Sequence, residues 1–215
     1  DAVRDYKGAR YEQVLLHAYM AMNYSQLGLL DSVSVEILQA DIIMMEWGEE
    51  PDEDPFMRYF SGIIFEALGE EDQALVAYRK ARDIYIATRN EQGLEVPVML
   101  KKDLLRLLYS LGLKNEYREM KHELGLANYK PTKVSGNFGE LIVVLSNGLA
   151  PIRTESAIMT FSPEVQSNVR VAFPVYASEP NVLNAARLNI SNKHIPLETV
   201  ENIDSLARQA LDDEM

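Results

Sequence analysis

The chain of 215 residues contains no cysteine, which excludes disulfide frameworks and thiol catalysis within it. Basic residues are also few: 21 Lys and Arg stand against 33 Asp and Glu, giving a formal net charge of -12. Because phosphate contacts need clustered cations, we expect no nucleic-acid partner. The sequence has no run of about 18 apolar residues, so no segment is predicted to span a membrane. Its 47% hydrophobic content is that of an ordinary globular protein.

The most regular part of the sequence is the stretch 55–81. Gly62 lets two helices approach closely, and the bulky Phe65 fills the space beside it. Gly69 follows in a turn, and Tyr78 fills the next gap. These size classes in this order are typical of one helix-turn-helix unit of a tetratricopeptide (TPR) array, a scaffold used for binding.

The turn glycine recurs, which indicates several such units. Gly28, Gly69 and Gly112 each follow a leucine at the end of an apolar stretch, about 40 residues apart against a TPR period of about 34. Polar linkers at 47–54 and 88–94 account for the excess length. Apolar residues at three- and four-residue spacing predict helices throughout this half of the chain. They cover residues 10–27, 31–47, 55–68, 71–88, 96–111 and 114–124.

From Lys130 onward the pattern changes to short β-branched runs separated by turn residues, which predicts strands over 140–145, 152–159, 168–175 and 183–190. Asn147-Gly148 predicts a turn, and Asn202 is a candidate N-cap for a last helix over 203–211. We therefore predict an α+β fold. A TPR-like array of α-α hairpins over 1–128 is followed by a small β-rich domain with a C-terminal helix over 129–215.

Three segments carry a resemblance to a known family. The stretch 5–19, running into 21–28, is the first, and Gly139–Pro151 and Val171–Tyr176 follow it in order. Together they resemble an uncharacterised family of bacterial TPR-like lipoproteins, in which a helical part precedes a β region of this kind. The similarity spans most of the chain.

The resemblance implies a protein of the Gram-negative envelope, facing the periplasm and anchored in the outer membrane by a lipid-bearing cysteine. This chain has no cysteine, so the anchor is expected upstream of Asp1, and it is the only membrane association that we expect. Asp1 opens the chain within helical-looking sequence, which we interpret as a trimmed piece without its targeting signal. The resemblance also implies a role in envelope assembly or in the regulation of peptidoglycan synthesis.

The concave face of a TPR array is lined by the first helix of each unit, which predicts where a partner binds. The exposed inner positions are Ala18, Met22 and Ser25, then Tyr59, Ile63 and Glu66, then Lys102, Arg106 and Tyr109. As a set they predict an aromatic and aliphatic floor with two cations at one end, which suits a peptide carrying an acidic residue. The predicted partner-binding residues are Met22, Tyr59, Ile63, Glu66, Lys102, Arg106 and Tyr109. In the alternative interpretation, Tyr59 and Ile63 pack against the neighbouring domain.

No catalytic or metal-binding pattern is found, and no cofactor is expected. His17, His122 and His194 share no ligand spacing with carboxylates, and a half-buried core histidine is the better interpretation of His17. The acidic run 49–54 lacks the order of an EF-hand loop. We interpret its last residue, Asp54, as the N-cap of the helix that begins at Pro55.

The sequence therefore predicts a non-enzymatic scaffold that binds a protein or peptide on the concave face of its repeats. One alternative is an envelope enzyme or ligand-binding protein with a site between the two domains. Its candidate groups are Glu140, Arg153, Glu155 and Arg170. Another is a cytoplasmic TPR adaptor. Self-association through edge strands or through the groove stays open.

Overall fold

The computed structural model describes residues 8–46, 53–131, 139–164, 166–177 and 182–214. The fold is α+β, as predicted. The chain forms two compact units: one comprises the residues up to Val143 together with Glu198–Glu201, and the other comprises Val144–Leu197 and the residues from Asn202 onward. A division into domains 1–128 and 129–215 stays a prediction. Within the described ranges, no helix has the length and apolar character that crossing a bilayer requires.

The first unit is helical, and its helices confirm the predicted ones to within a few residues. They are α1 (Arg10–Gln26), α2 (Leu30–Met45), α3 (Pro55–Ala67), α4 (Glu71–Ala87), the short α5 (Arg89–Gln92), α6 (Val98–Ser110) and α7 (Lys114–Glu123). Consecutive helices pack in pairs: α1 with α2, α3 with α4, and α6 with α7. The pairs are joined because α3 also contacts α1 and α2, and α4 contacts α6.

The same backbone geometry ends the first helix of each pair. Gly28, Gly69 and Gly112 have φ angles of 72°, 80° and 73°, a left-handed conformation that favours glycine. In each turn the residue after the glycine donates a backbone hydrogen bond to the carbonyl five positions before it, as in Glu70 N–H to Phe65 O at 2.8 Å. This is the Schellman arrangement, which satisfies carbonyls that the helix end leaves unpaired. The recurring glycine in the sequence thus marks a recurring turn.

The predicted cap of α3 is confirmed. Asp54 has extended backbone, and its Oδ1 accepts a hydrogen bond from Met57 N–H at 2.8 Å, while Pro55 occupies the first helical position. The part of the acidic run at 49–52, and Trp47 before it, lie outside the described residues.

The second unit contains two separate two-stranded antiparallel sheets and one helix. The strands are β1 (Ile152–Ser162), β2 (Ser167–Ala177), β3 (Arg187–Ile190) and β4 (Lys193–Pro196), and the helix is α8 (Ile203–Glu214). β1 pairs with β2 from Ile152↔Ala177 to Ser162↔Ser167, and β3 pairs with β4. The predicted cap of α8 is confirmed, because Asn202 Oδ1 accepts a hydrogen bond from Ser205 N–H at 3.3 Å.

One strand prediction was wrong and one was too long. Residues 140–145 form no strand, although their sequence is β-branched and apolar. A strand needs a neighbour to accept its backbone hydrogen bonds, and no described residue provides one here. The strand predicted over 183–190 begins only at Arg187. Before it, the Asn147 side chain hydrogen-bonds both the N–H and the carbonyl of Leu183.

Candidate partner-binding surfaces

The predicted inner positions are less exposed than expected. Ala18 is 1% exposed and Tyr59 is 8% exposed, so the prediction that these two side chains are open to a partner was wrong. Both are buried because the first helix of a pair packs on its own second helix and on the adjacent pair. Met22 is half-buried against the core that α1, α2 and α3 share, and Ser25 is exposed.

Three of the predicted residues meet in one polar network between α3, α4 and α6. The Tyr59 hydroxyl donates a hydrogen bond to Asp103 Oδ2 at 2.7 Å, and the Tyr78 hydroxyl donates to Glu66 Oε2 at 2.9 Å. Arg106 joins the two halves: Nη2 donates to Glu66 Oε2 at 2.9 Å and to Asp103 Oδ1 at 3.3 Å, and Nη1 also donates to Glu66. The tertiary fold thus brings Tyr59, Glu66 and Arg106 together.

Burial and pairing set the charges in this network. The hydrogen bonds with Glu66 raise the pKa of Arg106, so this cation is permanently charged. Burial raises the pKa of Asp103, and Tyr59 and Arg106 oppose that shift by stabilising the carboxylate. The Glu140 carboxylate nearby also raises the pKa of Asp103. Arg106 is therefore matched by the chain's own carboxylates and is not a cation held ready for an acidic partner.

The remaining predicted residues lie around this network. Ile63 packs against the core shared by α4 and α6, and Lys102 is half-buried, its carbonyl accepting a hydrogen bond from the Tyr129 hydroxyl at 3.4 Å. Tyr109 is 47% exposed, and its ring packs edge-on against the ring of Tyr117, with 5.6 Å between the ring centroids. Of the aromatic floor that was predicted, Tyr109 is the exposed member.

A second surface, which the sequence reasoning passed over, lies on α2. Val35, Leu38, Ile42 and Met45 are between 50% and 65% exposed. Their spacing of three, four and three residues places them on one side of the helix, opposite the buried Val33, Ile37, Ala40 and Met44. We call these four exposed residues the α2 stripe. Their spacing in the sequence was the signal that could have revealed them.

Two buried ionic clusters lie near the start of α3. Arg58 is 6% exposed and pairs with Asp41 and Glu53, and Lys80 approaches Glu53 at 3.7 Å. Beside them lie the carboxyls of Asp54 and Glu201, close enough for each to shift the pKa of the other. Asp54 Oδ2 and Glu201 Oε1 are buried, and no N–H or hydroxyl of the described residues reaches either. Because neither oxygen has a donor, we expect one of the two carboxyls to hold a proton in the folded chain.

The segment around Glu201 is fixed to the helical unit at several points. The Tyr85 hydroxyl donates to Val200 O at 2.6 Å, and Glu198 Oε2 accepts a hydrogen bond from Val98 N–H at 2.6 Å. Burial raises the pKa of Glu201 well above its usual range, and the adjacent Asp54 adds to that shift. Nothing in the sequence pattern indicated this pairing, because the two acids are far apart along the chain.

The histidines and carboxylates of the described ranges do not converge on a metal site. No group of three or more His, Asp or Glu side chains there is placed to hold a cation. His17 Nδ1 lies 2.7 Å from Glu36 Oε2 in a half-buried pair, which confirms the interpretation of His17 as a core histidine. In the second unit Glu155 pairs with Arg170 across the β1–β2 ribbon. Comparison with protein-family models, curated proteins and solved structures found no significant match for this chain.

Proposed function

We propose that this chain is a non-enzymatic scaffold that binds a protein partner through its helical unit. The observation that carries the proposal is α2, a helix that is apolar on both faces. One face lies in the core, and the other presents the α2 stripe to solvent. A helix with apolar residues on two opposite faces normally buries both of them, so an exposed apolar face of this length indicates that another molecule covers it.

The helical unit is proposed to be a TPR-like array. Support comes from the paired helices, from the shared glycine turn that ends α1, α3 and α6, and from the close approach of Gly62 to Tyr78. A place in the bacterial envelope, with a lipid anchor, stays part of the proposal and rests on the resemblance in sequence. Envelope assembly and the regulation of peptidoglycan synthesis are the processes that this resemblance favours.

The inner face is the second surface that the proposal includes. Most of its polar groups are already hydrogen-bonded to one another in the network of Tyr59, Asp103 and Arg106. What it offers a partner is the exposed ring of Tyr109 and the half-buried Lys102, which lies seven residues earlier and therefore on the same side of α6. We therefore propose that Tyr109 contributes contact area and that Lys102 contributes orientation, while Tyr59, Glu66 and Arg106 hold the helices in position.

Crosslinking capture from extracts of the source organism tests the scaffold function. Four baits are compared: the natural chain, the stripe variant Leu38→Gln/Ile42→Gln, the inner-face variant Lys102→Glu/Tyr109→Ala, and the control Val76→Gln/Ile86→Gln. The control changes two equally exposed apolar residues of α4. We expect a specific protein that the control retains and that one surface variant loses. Identical capture by all four baits, or none above background, would contradict the scaffold function.

A further inference from the structure

We infer that the α2 stripe is the docking site for a basic amphipathic helix of a partner protein. The inference rests on the proposed scaffold function and adds the surface and the chemistry of the partner. The spacing of three, four and three residues is that of a coiled-coil seam, into which a second helix inserts its apolar residues. From Val35 to Met45 the stripe extends about 15 Å along the helix, enough for three turns of a partner helix.

The charges around the stripe decide which kind of helix fits. α2 carries Asp31, Glu36 and Asp41 and no Lys or Arg. Glu36 is buried in contact with His17, and Asp41 pairs with Arg58, so both carboxylates already have partners within the chain. Asp31 and Glu46 are exposed at the two ends of the stripe. Each lies four residues from a member of the stripe, Asp31 before Val35 and Glu46 after Ile42, and therefore on the same side of the helix.

A partner helix that covers the stripe therefore meets a carboxylate at each end. Lys or Arg residues flanking its apolar seam match these carboxylates, whereas acidic flanks are repelled. A second copy of this chain is a poorer occupant, because α2 has no cation to offer either end. In a parallel pairing it would place Asp31 against Asp31 and Glu46 against Glu46.

Titration of the full chain with synthetic helical peptides of about 18 residues tests the inference. The basic peptide carries Leu at the seam spacing with Lys and Arg flanks. A second peptide keeps the same Leu positions with Glu flanks, and a third scrambles the order of the basic one. Fluorescence anisotropy measures binding of each peptide to the natural chain, to Leu38→Gln/Ile42→Gln, and to the control Val76→Gln/Ile86→Gln. Circular dichroism confirms that each variant is folded.

We expect the basic peptide to bind and the scrambled one to bind at least about tenfold more weakly. Leu38→Gln/Ile42→Gln should weaken binding by about tenfold or more, and the α4 control should leave it unchanged. Asp31→Lys/Glu46→Lys should reverse the preference between basic and acidic peptides, so that added salt weakens binding of the acidic peptide and no longer weakens binding of the basic one.

Three results would overturn the inference. The first is no binding of the basic peptide up to about 1 mM, and the second is equal affinity for the basic and acidic peptides. The third is a dimer in sedimentation experiments that Leu38→Gln/Ile42→Gln abolishes, since the stripe is then covered by a second copy. If the peptides show no binding while crosslinking still captures a partner that a surface variant loses, the scaffold function stands. Only the inference of a basic helix as the partner is then wrong.

Discussion

The ring of Tyr78 fills the space in which a side chain on residue 62 would begin. A Cβ atom on Gly62 would lie 2.4 Å from both Cδ1 and Cε1 of Tyr78, closer than carbon atoms can approach. Tyr78 is 1% exposed and is held by its hydrogen bond to Glu66, so the ring has nowhere to move. The contact fixes how closely α3 and α4 pack, and Gly62 is required at this position.

Gly62→Ala is therefore expected to destabilise the chain. Overpacking a filled core costs about 1–3 kcal/mol of unfolding free energy, to be measured by urea denaturation followed by circular dichroism. Gly139→Ala is the matched control, because a Cβ atom there meets nothing within 4 Å. Equal stability of the two variants would show that α3 and α4 can separate at no cost.

The Tyr59–Asp103 hydrogen bond is expected to stabilise the junction of α3 with α6. Tyr59→Phe keeps the ring but leaves Asp103 without one of its partners, so we expect a loss of about 1–2 kcal/mol. Tyr109→Phe removes a hydroxyl from an exposed tyrosine and should change stability little. A double-mutant cycle with Asp103→Asn measures the coupling, and a coupling energy near zero would contradict a functional bond between these residues.

Arg58 and Arg89 provide a contrast between a buried and an exposed ion pair. Arg58→Met removes the cation that the structure places beside Asp41, and it leaves the buried Glu53 with only a more distant one. We therefore expect a loss of about 3–5 kcal/mol of unfolding free energy. Arg89 and Glu95 are 61% and 64% exposed, and Arg89→Met should cost less than about 1 kcal/mol. Thermal and urea unfolding of both variants test this, and similar losses would be evidence against a buried Arg58 cluster.

The Asp54–Glu201 pair is expected to make stability depend on pH. Burial raises the pKa of both carboxyls, so the folded chain holds a proton that the unfolded chain releases. The contribution of the pair is therefore greatest below pH 4, the usual carboxyl range, and is lost as pH rises through the raised pKa of Glu201. Tyr85 and Arg58 also face the pair. Arg58 is positively charged and therefore favours the ionised form of Asp54, whereas Tyr85 contributes no charge.

The variant Glu201→Gln isolates the contribution of this pair to the pH dependence of stability from that of the other titrating groups. The Gln amide can donate a hydrogen bond to Asp54 without a shared proton. The stability of the variant relative to the natural chain should therefore rise with pH. The gain is up to about 1.4 kcal/mol per pH unit above pH 4, measured by urea unfolding at several pH values. Asp72→Asn, at an exposed position of α4, should leave the slope unchanged. Parallel stability curves for Glu201→Gln and the natural chain would exclude the shared proton.

The helices of this protein follow from local sequence. Their periodic apolar residues, the turn glycines at Gly28, Gly69 and Gly112, and the cap at Asp54 act within a few residues of each position. The turn glycines and the cap work through hydrogen bonds inside one turn, and the spacing of the apolar residues follows from the helical repeat itself, so all three can be recognised without the tertiary structure. The sequence alone therefore determined where nearly every helix begins and ends, and that a small residue is needed at Gly62. That the Tyr78 ring, and not Phe65, occupies the space against Gly62 came from the structure.

Only the tertiary structure decided which polar groups meet and which apolar ones stay exposed. Glu201 lies beside Asp54, and Arg106 pairs with Glu66, because packing brings distant segments together. No local sequence pattern encodes these pairings. The apolar residues 141–145 illustrate the same limit: their composition favours a strand, but a strand exists only where a second segment pairs with it. Tertiary packing likewise buried one apolar face of α2 and left the other exposed, since burial depends on what lies across from a residue.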